Sequence, residues 1–435
     1  MKKTGFRALI VVAAFASAML FGVRAHGAGE PKVTFTKDVA PIFYNSCAEC
    51  HRPGQIAPMS LMTYKDARPW ARSIKDKVAN RVMPPWLADP AYGHFSNDRR
   101  LTQKQIDTIV SWVDAGAPEG NEADLPAPPK FAEGWTIGQP DAVISLPEAI
   151  SVPATGTIPY MYVKVPTHFT EDKWVQAAEI RAGNRSVVHH VIVFIQEPGA
   201  TSVEVTGKAA GGESASKGSA RGGREGTGSK LVGFAPGEQP KVYPPGMAKL
   251  IKAGSTLVFQ LHYTANGTAA TDKSYVGLIF AKQPVHRNAQ TGTAINAKFV
   301  IPPGDPNYEV KSSWTAKEDV RILDLMPHMH FRGKDFIYTA VYPDGRSEVV
   351  LSVPRYDFNW QMVYRLNQPL YLPKGSRLDC VAHFDNSANN KYNPDPAKEV
   401  RWGPQTWEEM MIGWFDYVND KENTDADMAR ASAGK

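Results

Sequence analysis

The sequence predicts a multidomain protein in which a small all-α domain precedes two antiparallel β-sandwich domains of the jelly-roll type. The chain has 435 residues, 43% of them hydrophobic, which is enough for about two to four domains with ordinary cores. Its 35 glycines and 34 prolines favour short strands joined by many turns. Helical spacing of apolar residues occurs in residues 31–120, whereas short β-rich runs fill residues 135–420.

The helical region contains signals for helix starts and ends. Thr36 is placed to cap a short first helix. Thr102 and Gln105 form a capping box ahead of a second apolar run, and Gly116 marks the end of that run. We therefore expect one short helix that begins near Thr36 and a second helix between Thr102 and Gly116.

The first residues have the pattern of a secretory signal peptide. Lys2, Lys3 and Arg7 precede an apolar run from Ala8 to Val23. The run is shorter than the roughly 20 residues that a membrane-spanning helix needs. We expect residues 1–28 to be removed at a cleavage site that the sequence leaves open. The mature protein should then be periplasmic or secreted, without stable membrane insertion.

Changes in composition divide the rest of the chain. We expect an α-helical domain at 31–120, a Pro-rich linker at 121–134, a first sandwich at 135–290 with a flexible insertion at 206–230, a second sandwich at 291–420 and a polar tail at 421–435.

One short motif predicts a covalently bound cofactor. Cys47, Cys50 and His51 form the C-x-x-C-H pattern of haem c attachment. The two thiols add to the porphyrin vinyl groups, and the histidine ligates the iron. A redox dithiol or half of a zinc site would be the alternative, but Cys380 is the only other cysteine, so no second pair completes a zinc site. We expect one haem c, and residues 31–120 resemble a small class I cytochrome c domain.

The sixth ligand of this haem is expected to be Met83. The two prolines that follow Met83 would hold it in an extended loop. A Met/His pair raises the iron potential and leaves no open position, which suits electron transfer. Met59, Met62 and His94 are the competing candidates.

Five histidines fall within β-like runs: His189, His190, His262, His328 and His330. Alternate side chains of a strand share a face, so His328 and His330 can bind one metal ion. The adjacent His189 and His190 would point apart unless the strand is bulged, strongly twisted or ends there. A lone histidine such as His262 in an apolar run is more often a core residue than a ligand.

Four short motifs occur in one order along the chain: Val188-His189-His190, Gln260-Leu261-His262-Tyr263, His328-Met329-His330 and Glu408-Glu409-Met410. In these motifs the chain resembles, over roughly residues 136–420, the copper type II, ascorbate-dependent monooxygenases. That family includes peptidylglycine α-hydroxylating monooxygenase and dopamine β-monooxygenase.

The resemblance implies two copper ions with separate tasks. His189, His190 and His262 would bind the copper that transfers electrons. His328, His330 and Met410 would bind the second copper and form the catalytic site where oxygen is activated. A thioether ligand selects Cu(I) over zinc, which agrees with this division. The neighbouring Met411 is the alternative if the register differs by one.

The chain also departs from the peptide-acting members of that family. Met326, Ile412 and Trp414 stand where those enzymes hold a substrate carboxylate with Arg, Asn and Tyr. A glycine-extended peptide is therefore not the expected substrate. The three side chains favour a more apolar or aromatic organic molecule, although core packing would explain them equally well.

These observations predict an exported haem c–dicopper monooxygenase that hydroxylates a C–H bond of a small organic substrate with O₂. The haem domain would feed electrons to copper, and an external one-electron donor or acceptor would complete the system. A haem–copper dehydrogenase with outward electron flow and a non-catalytic copper-binding protein are the alternatives. The net charge of +5 is small and scattered, so no nucleic-acid partner is expected.

Overall fold

The computed structural model describes residues 33–55, 57–131, 134–200, 229–235 and 238–421. The predicted signal peptide at 1–28 lies outside the described residues, as do most of the insertion at 206–230 and nearly all of the tail at 421–435. Within the described ranges, every helix is too short or too polar to cross a membrane.

Among the described residues, the helices are short and all lie before residue 125. The α-helices are Ala40–Ser46 (α1), Tyr64–Ala67 (α2), Ala71–Ala79 (α3) and Gln103–Asp114 (α4), with a π-helical turn at Phe35–Val39 and 3₁₀ turns at Arg68–Trp70 and Glu122–Asp124.

The predicted capping box is confirmed, and the other predicted cap is wrong. The Thr102 hydroxyl accepts a hydrogen bond from the backbone N–H of Gln105. The side-chain oxygen of Gln105 in turn accepts from the backbone N–H of Thr102. At the first helix, Thr34 and not Thr36 is the cap, and its hydroxyl accepts from the Lys37 N–H at 3.4 Å. The helix begins earlier than expected because the chain makes a π-helical turn before α1, which buries the Thr36 side chain.

The strands, in chain order, are Ala142–Ser145 (β1), Ile150–Val152 (β2), Met161–Pro166 (β3), Lys173–Arg181 (β4), Val188–Gln196 (β5), Ser229–Phe234 (β6), Lys241–Val242 (β7), Met247–Ile251 (β8), Thr256–Tyr263 (β9), Ala270–Asp272 (β10), Tyr275–Phe280 (β11), Arg287–Asn288 (β12), Gln290–Ile295 (β13), Val300–Ile301 (β14), Tyr308–Thr315 (β15), Val320–His328 (β16), Gly333–Val341 (β17), Ser347–Val353 (β18), Tyr364–Leu372 (β19), Arg377–Phe384 (β20), Val400–Arg401 (β21) and Ile412–Asn419 (β22).

Four sheets contain most of these strands. One has the order β1-β11-β4-β8-β12 with β7 beside β4, and another has the order β3-β9-β5-β6. Val175 and Val276 of the former lie in one apolar cluster with Val191 and Phe259 of the latter. The other two sheets, β13-β22-β16-β19 and β15-β20-β17-β18, likewise contribute to one cluster of buried side chains.

The predicted fold class is wrong. Of the described residues, 38% lie in strands and 12% in helices, and the large sheets have the four-blade arrangement of a β-propeller. The chain is not an all-α cytochrome c domain followed by two β-sandwich domains. The helical spacing in residues 31–120 extends over short helices only, separated by turns. Local alternation predicts strands but not how sheets are arranged, since pairs such as β1 with β11 join distant parts of the chain.

Part of the N-terminal region packs into the core formed by the last two large sheets. The rings of Trp86 and Phe95 contact Tyr364, with centroid distances of 5.0 and 5.5 Å. The backbone N–H of Asp89 donates to the carbonyl of Ser352 at 2.8 Å. The region that carries the C-x-x-C-H motif is therefore anchored to the β-sheets by side-chain and backbone contacts.

A buried group of charges joins the two pairs of sheets. Lys241, on β7, forms ion pairs with Asp324 on β16 and Asp416 on β22. Tyr243 donates to Asp416 at 2.9 Å, and Lys249 lies 3.5 Å from the same carboxylate. Burial alone would raise the pKa of Asp416, but the two lysines hold it well below its usual range.

Candidate metal centre

His189, His190 and His262 converge on one point. Strands β5 and β9 are neighbours, and His190 is paired with His262 in their register. The register shifts between Val188 and His190, so β5 is irregular at His189. This shift is the condition under which two adjacent histidines can face the same side of a strand. The three histidines offer ligand atoms that all lie within 4.8 Å of one another.

The nitrogen atoms of this group are suited to a metal ion. The Nδ1 atoms of His189 and His190 are 3.2 Å apart. The Nδ1 atom of His262 is buried and has no hydrogen-bond partner among the described residues. Burial, reinforced by the charge of His189, lowers the pKa of His262 to about 3, and burial also lowers the pKa of His189 and His190. All three imidazoles are therefore neutral near pH 7, as metal ligands must be.

His328 and His330 form a second group at the end of β16, with ring centroids 5.2 Å apart. The Nδ1 of His328 is 2.7 Å from the amide oxygen of Gln361, and the Nδ1 of His330 is 3.2 Å from the carbonyl of Glu408. Both oxygens are acceptors, so each Nδ1 carries the proton and each Nε2 keeps its lone pair. The Nε2 of His330 is buried without a partner in the described part of the chain. Burial lowers the pKa of His328 to about 4.

The structure separates the two candidate methionines. Met411 is fully buried in the core, whereas Met410 is only partly buried. The carboxylate of Glu409, next to Met410, accepts from the backbone N–H groups of His330 and Arg332 at 2.8 and 2.6 Å. The chain next to Met410 is thus joined by hydrogen bonds to the backbone of the second histidine group, and the choice of Met410 over Met411 as ligand stays a prediction.

Tyr160 lies between the two histidine groups. Its ring centroid is 4.6 Å from that of His262, 5.2 Å from that of His190 and 6.4 Å from that of His330. Its hydroxyl is buried and has no hydrogen-bond partner within the described ranges. The two groups are therefore separated by little more than one aromatic ring.

Phe358 contacts both groups from another direction. It stacks on His189 at 5.4 Å with an interplanar angle of 7°, and its centroid lies 6.4 Å from that of His262 and 6.0 Å from that of His330. The buried rings of Tyr160 and Phe358 thus contact both histidine groups.

The residues of the C-x-x-C-H motif follow α1 directly. Cys47 and Cys50 are free thiols, and burial raises the pKa of Cys47 to about 12. The Nδ1 of His51 donates to the carbonyl of Met59 at 3.2 Å, which leaves Nε2 available. Two unpaired thiols beside a histidine held by one nitrogen are the donor set that a covalently bound haem requires.

Met83 lies in the turn after α3, where its backbone N–H donates to the carbonyl of Lys77 at 3.2 Å. Its competitors Met59 and Met62 pack against the apolar cluster of the N-terminal region, which fits a structural role. The assignment of Met83 as the sixth haem ligand stays a prediction.

The motif and the first histidine group are held together by one side-chain contact. Nη1 of Arg185 donates to the Oε1 of Gln55 at 2.7 Å. Gln55 follows His51 by four residues, and Arg185 precedes His189 by four. The charge of Arg185 also acts on the thiol of Cys50, so the motif lies near the first histidine group.

Several of these residues have no signal in the sequence. Tyr160, Phe358 and Gln361 belong to no motif, and each reaches the histidines through contacts between distant segments. Arg185 is likewise an ordinary loop residue in the sequence. Only the proximity of Arg185 to the His189-His190 pair could have drawn attention to it.

Comparison with known proteins does not show a family. No family model matches the chain, and no curated protein matches it. Among solved structures, the chain is similar to PNGF-II in a C2 space group, with 9% sequence identity, a TM-score of 0.28 and coverage of 65% of each chain. It is also similar to the T13 IBDV viral particle, with 7% identity, a TM-score of 0.19 and coverage of 64% of this chain and 68% of that one. The chain thus spans less than two thirds of the length of PNGF-II, and scores this low carry no argument about function.

Proposed function

We propose that the protein is an exported haem c–dicopper monooxygenase that inserts one oxygen atom from O₂ into a C–H bond of an organic substrate. The observation that carries the proposal is the pair of adjacent histidine groups. Each contains buried, neutral imidazoles, and in each a buried ring nitrogen lacks a partner among the described residues: Nδ1 of His262 and Nε2 of His330.

The two groups differ in the way that two different copper sites would require. His189, His190 and His262 form a three-nitrogen set. His328 and His330 supply two nitrogens, and Met410 would add a thioether, which favours Cu(I) and leaves an open position. Copper at these residues would supply one-electron storage at the first group and oxygen binding at the second.

The protein itself prepares the second group for a metal ion. The Gln361 amide and the Glu408 carbonyl fix the Nδ1–H tautomer of His328 and His330, so both rings present Nε2 without further rearrangement. Tyr160 and Phe358 cover the space between the two groups and reduce the access of water.

Electron supply is proposed to run from a haem at Cys47, Cys50 and His51 to the His189/His190/His262 group. The Arg185–Gln55 hydrogen bond and the packing of Trp86 on Tyr364 support a fixed position of the haem region on the sheets. A fixed contact replaces diffusional encounter with a high effective concentration of donor and acceptor.

The substrate is proposed to be an organic molecule with both apolar and polar parts. Met326 and His328 on β16 are paired with Trp414 and Ile412 on β22, so the side chains that depart from the peptide-acting enzymes lie beside the second histidine group. A cavity lined by Met326 and Trp414 is also lined by Lys230. The Lys230 ammonium lies 2.9 Å from the Met326 sulfur, and Glu238, Lys241, Asp324, Arg365 and Asp416 also line this cavity, so charged and apolar groups face it together.

The proposal is tested on protein matured with haem and then loaded with copper. Metal analysis and copper EPR should find two coppers per haem in the wild type and one in His262→Ala and in His330→Ala. His168→Ala, which changes an exposed histidine, should retain two. Haem without stoichiometric copper would contradict the proposal.

Substrate screening then separates oxygen insertion from dehydrogenation. A monooxygenase consumes one O₂ for each product molecule and transfers label from ¹⁸O₂ into that product. Turnover that continues without O₂ while the haem becomes reduced would contradict oxygen insertion and would establish outward electron flow.

A further inference from the structure

The hydroxyl of Tyr160 is a buried polar group between the two histidine groups. The residue is only 8% exposed, and its hydroxyl has no hydrogen-bond partner in the described part of the chain. Buried hydroxyls nearly always have a partner, whether protein or an ordered small molecule. An unpaired hydroxyl at this position therefore indicates a ligand that completes it.

Two further unpaired atoms lie around the same ring. Nδ1 of His262 and Nε2 of His330 are buried and likewise lack partners within the described residues. The Tyr160 ring contacts both imidazoles, at 4.6 and 6.4 Å between centroids. The three unsatisfied polar atoms thus belong to the Tyr160 ring and to two imidazoles that pack against it. Phe358 packs against both of the histidines from another side.

Tyr160 is tied to both histidine groups. Its ring precedes β3 and packs on the first histidine group, whereas its backbone N–H donates to the side chain of Gln405 at 3.2 Å. The backbone N–H of Gln405 in turn donates to the carboxylate of Glu408, whose carbonyl holds His330. The position of Tyr160 is therefore set by the same segment that orients the second group.

The hydroxyl is suited to donate and not to accept a proton. A phenol has an ordinary pKa of about 10 and keeps its proton near pH 7, so a water oxygen or a small anion is the complementary acceptor.

We propose that Tyr160 is a positioning residue whose hydroxyl donates a hydrogen bond to a water molecule or small anion held between the His189/His190/His262 group and the His328/His330 group. Because this inference rests on the proposed function, the same small ligand would also be bound to copper. The tyrosine would fix the direction from which such a ligand approaches the metal.

The test measures azide binding to the copper(II)-loaded holoprotein, using the azide-to-copper charge-transfer band and the copper EPR spectrum. Tyr160→Phe removes the hydroxyl and keeps the ring. We expect unchanged haem and copper content and azide affinity weakened by about tenfold, the usual effect of losing one hydrogen bond to a charged ligand. Tyr162→Phe is the matched control, because its hydroxyl accepts from Gln260 at 2.7 Å, and it should bind azide like the wild type.

A second measurement keeps the test independent of how well the variant folds. In wild-type protein exchanged into D₂O, ²H ENDOR of the azide complex should show one strongly coupled exchangeable deuteron near the ligand. The absence of that deuteron, or equal azide affinity in Tyr160→Phe and wild type at full copper loading, would overturn the inference. A wild-type protein that binds no copper would instead contradict the proposed function, so the two failures are distinguishable.

Discussion

Gln55 and Arg185 are joined by a hydrogen bond of 2.7 Å in which the guanidinium donates to the amide oxygen. One partner lies four residues after His51 and the other four residues before His189. The bond therefore connects the segment that follows the C-x-x-C-H motif with the loop that precedes the first histidine group. Since Trp86 also packs into the core of the last two large sheets, the N-terminal region contacts both pairs of sheets.

Arg185→Ala should slow electron transfer from haem to copper without removing either cofactor. We expect a decrease of about three- to tenfold, because the Trp86 anchor still keeps the effective concentration high. Flash reduction of the haem followed by its reoxidation in the presence of Cu(II) measures this rate directly. Arg346→Ala, which changes an exposed arginine, is the control and should leave the rate unchanged. Equal rates in wild type and Arg185→Ala would show that this contact does not position the haem region.

Gln361→Leu should weaken copper binding at the second group alone. The substitution removes the acceptor that holds the Nδ1–H of His328, and losing such a partner typically costs about 10- to 100-fold in metal affinity. Competition with a Cu(I) chelator measures the affinity of each site. Gln196→Leu is the matched control, because Gln196 is also buried but donates to the carbonyl of Ala200 away from the histidines. Unchanged affinity in Gln361→Leu would exclude this orienting role.

Substitution of the two neighbouring methionines should have opposite effects. Met410→Ala is expected to weaken Cu(I) binding while leaving the free energy of unfolding almost unchanged, because Met410 is only partly buried. Met411→Ala should instead destabilise the fold by about 2–5 kcal/mol, the usual cost of truncating a core methionine. Chelator competition and urea unfolding of both variants decide this. Loss of Cu(I) affinity in Met411→Ala alone would show that Met411, and not Met410, is the copper ligand.

Asp416→Asn should make stability less dependent on acid pH. Although burial acts in the opposite direction, Lys241 and Lys249 hold the pKa of Asp416 below the 3.8 of an ordinary aspartate. A carboxyl with a depressed folded-state pKa stabilises the fold above pH 3.8, and this contribution is lost as the pH falls towards the folded-state pKa. At pH 7 we expect a loss of about 3–5 kcal/mol, because the substitution leaves buried lysines without their partner.

The difference in the free energy of unfolding between wild type and Asp416→Asn should shrink as the pH falls below 3.8. Urea unfolding at a series of pH values measures this difference. Asp344→Asn alters an exposed ion pair with Arg346 and should show little difference at any pH. If the difference in the free energy of unfolding between wild type and Asp416→Asn stays constant down to pH 2, the charge of Asp416 does not contribute to stability.

The amino-acid sequence by itself determined the local elements. The capping box of Thr102 and Gln105 starts α4, and the β-rich runs form strands such as β5, β9 and β20, because hydrogen bonds and residue preferences within one segment decide both. The sequence also predicted that His189 and His190 can share one site only if their strand is irregular. Strand β5 has a register shift at that position.

Only the tertiary structure decided the arrangement of the sheets and the surroundings of the histidines. The predicted fold class was wrong because strand pairs such as β13 with β22 join segments more than a hundred residues apart, which no local pattern encodes. Tyr160, Phe358 and Gln361 reach the histidines for the same reason. These side chains belong to no sequence motif, and only packing between distant strands and loops places them against the buried imidazoles.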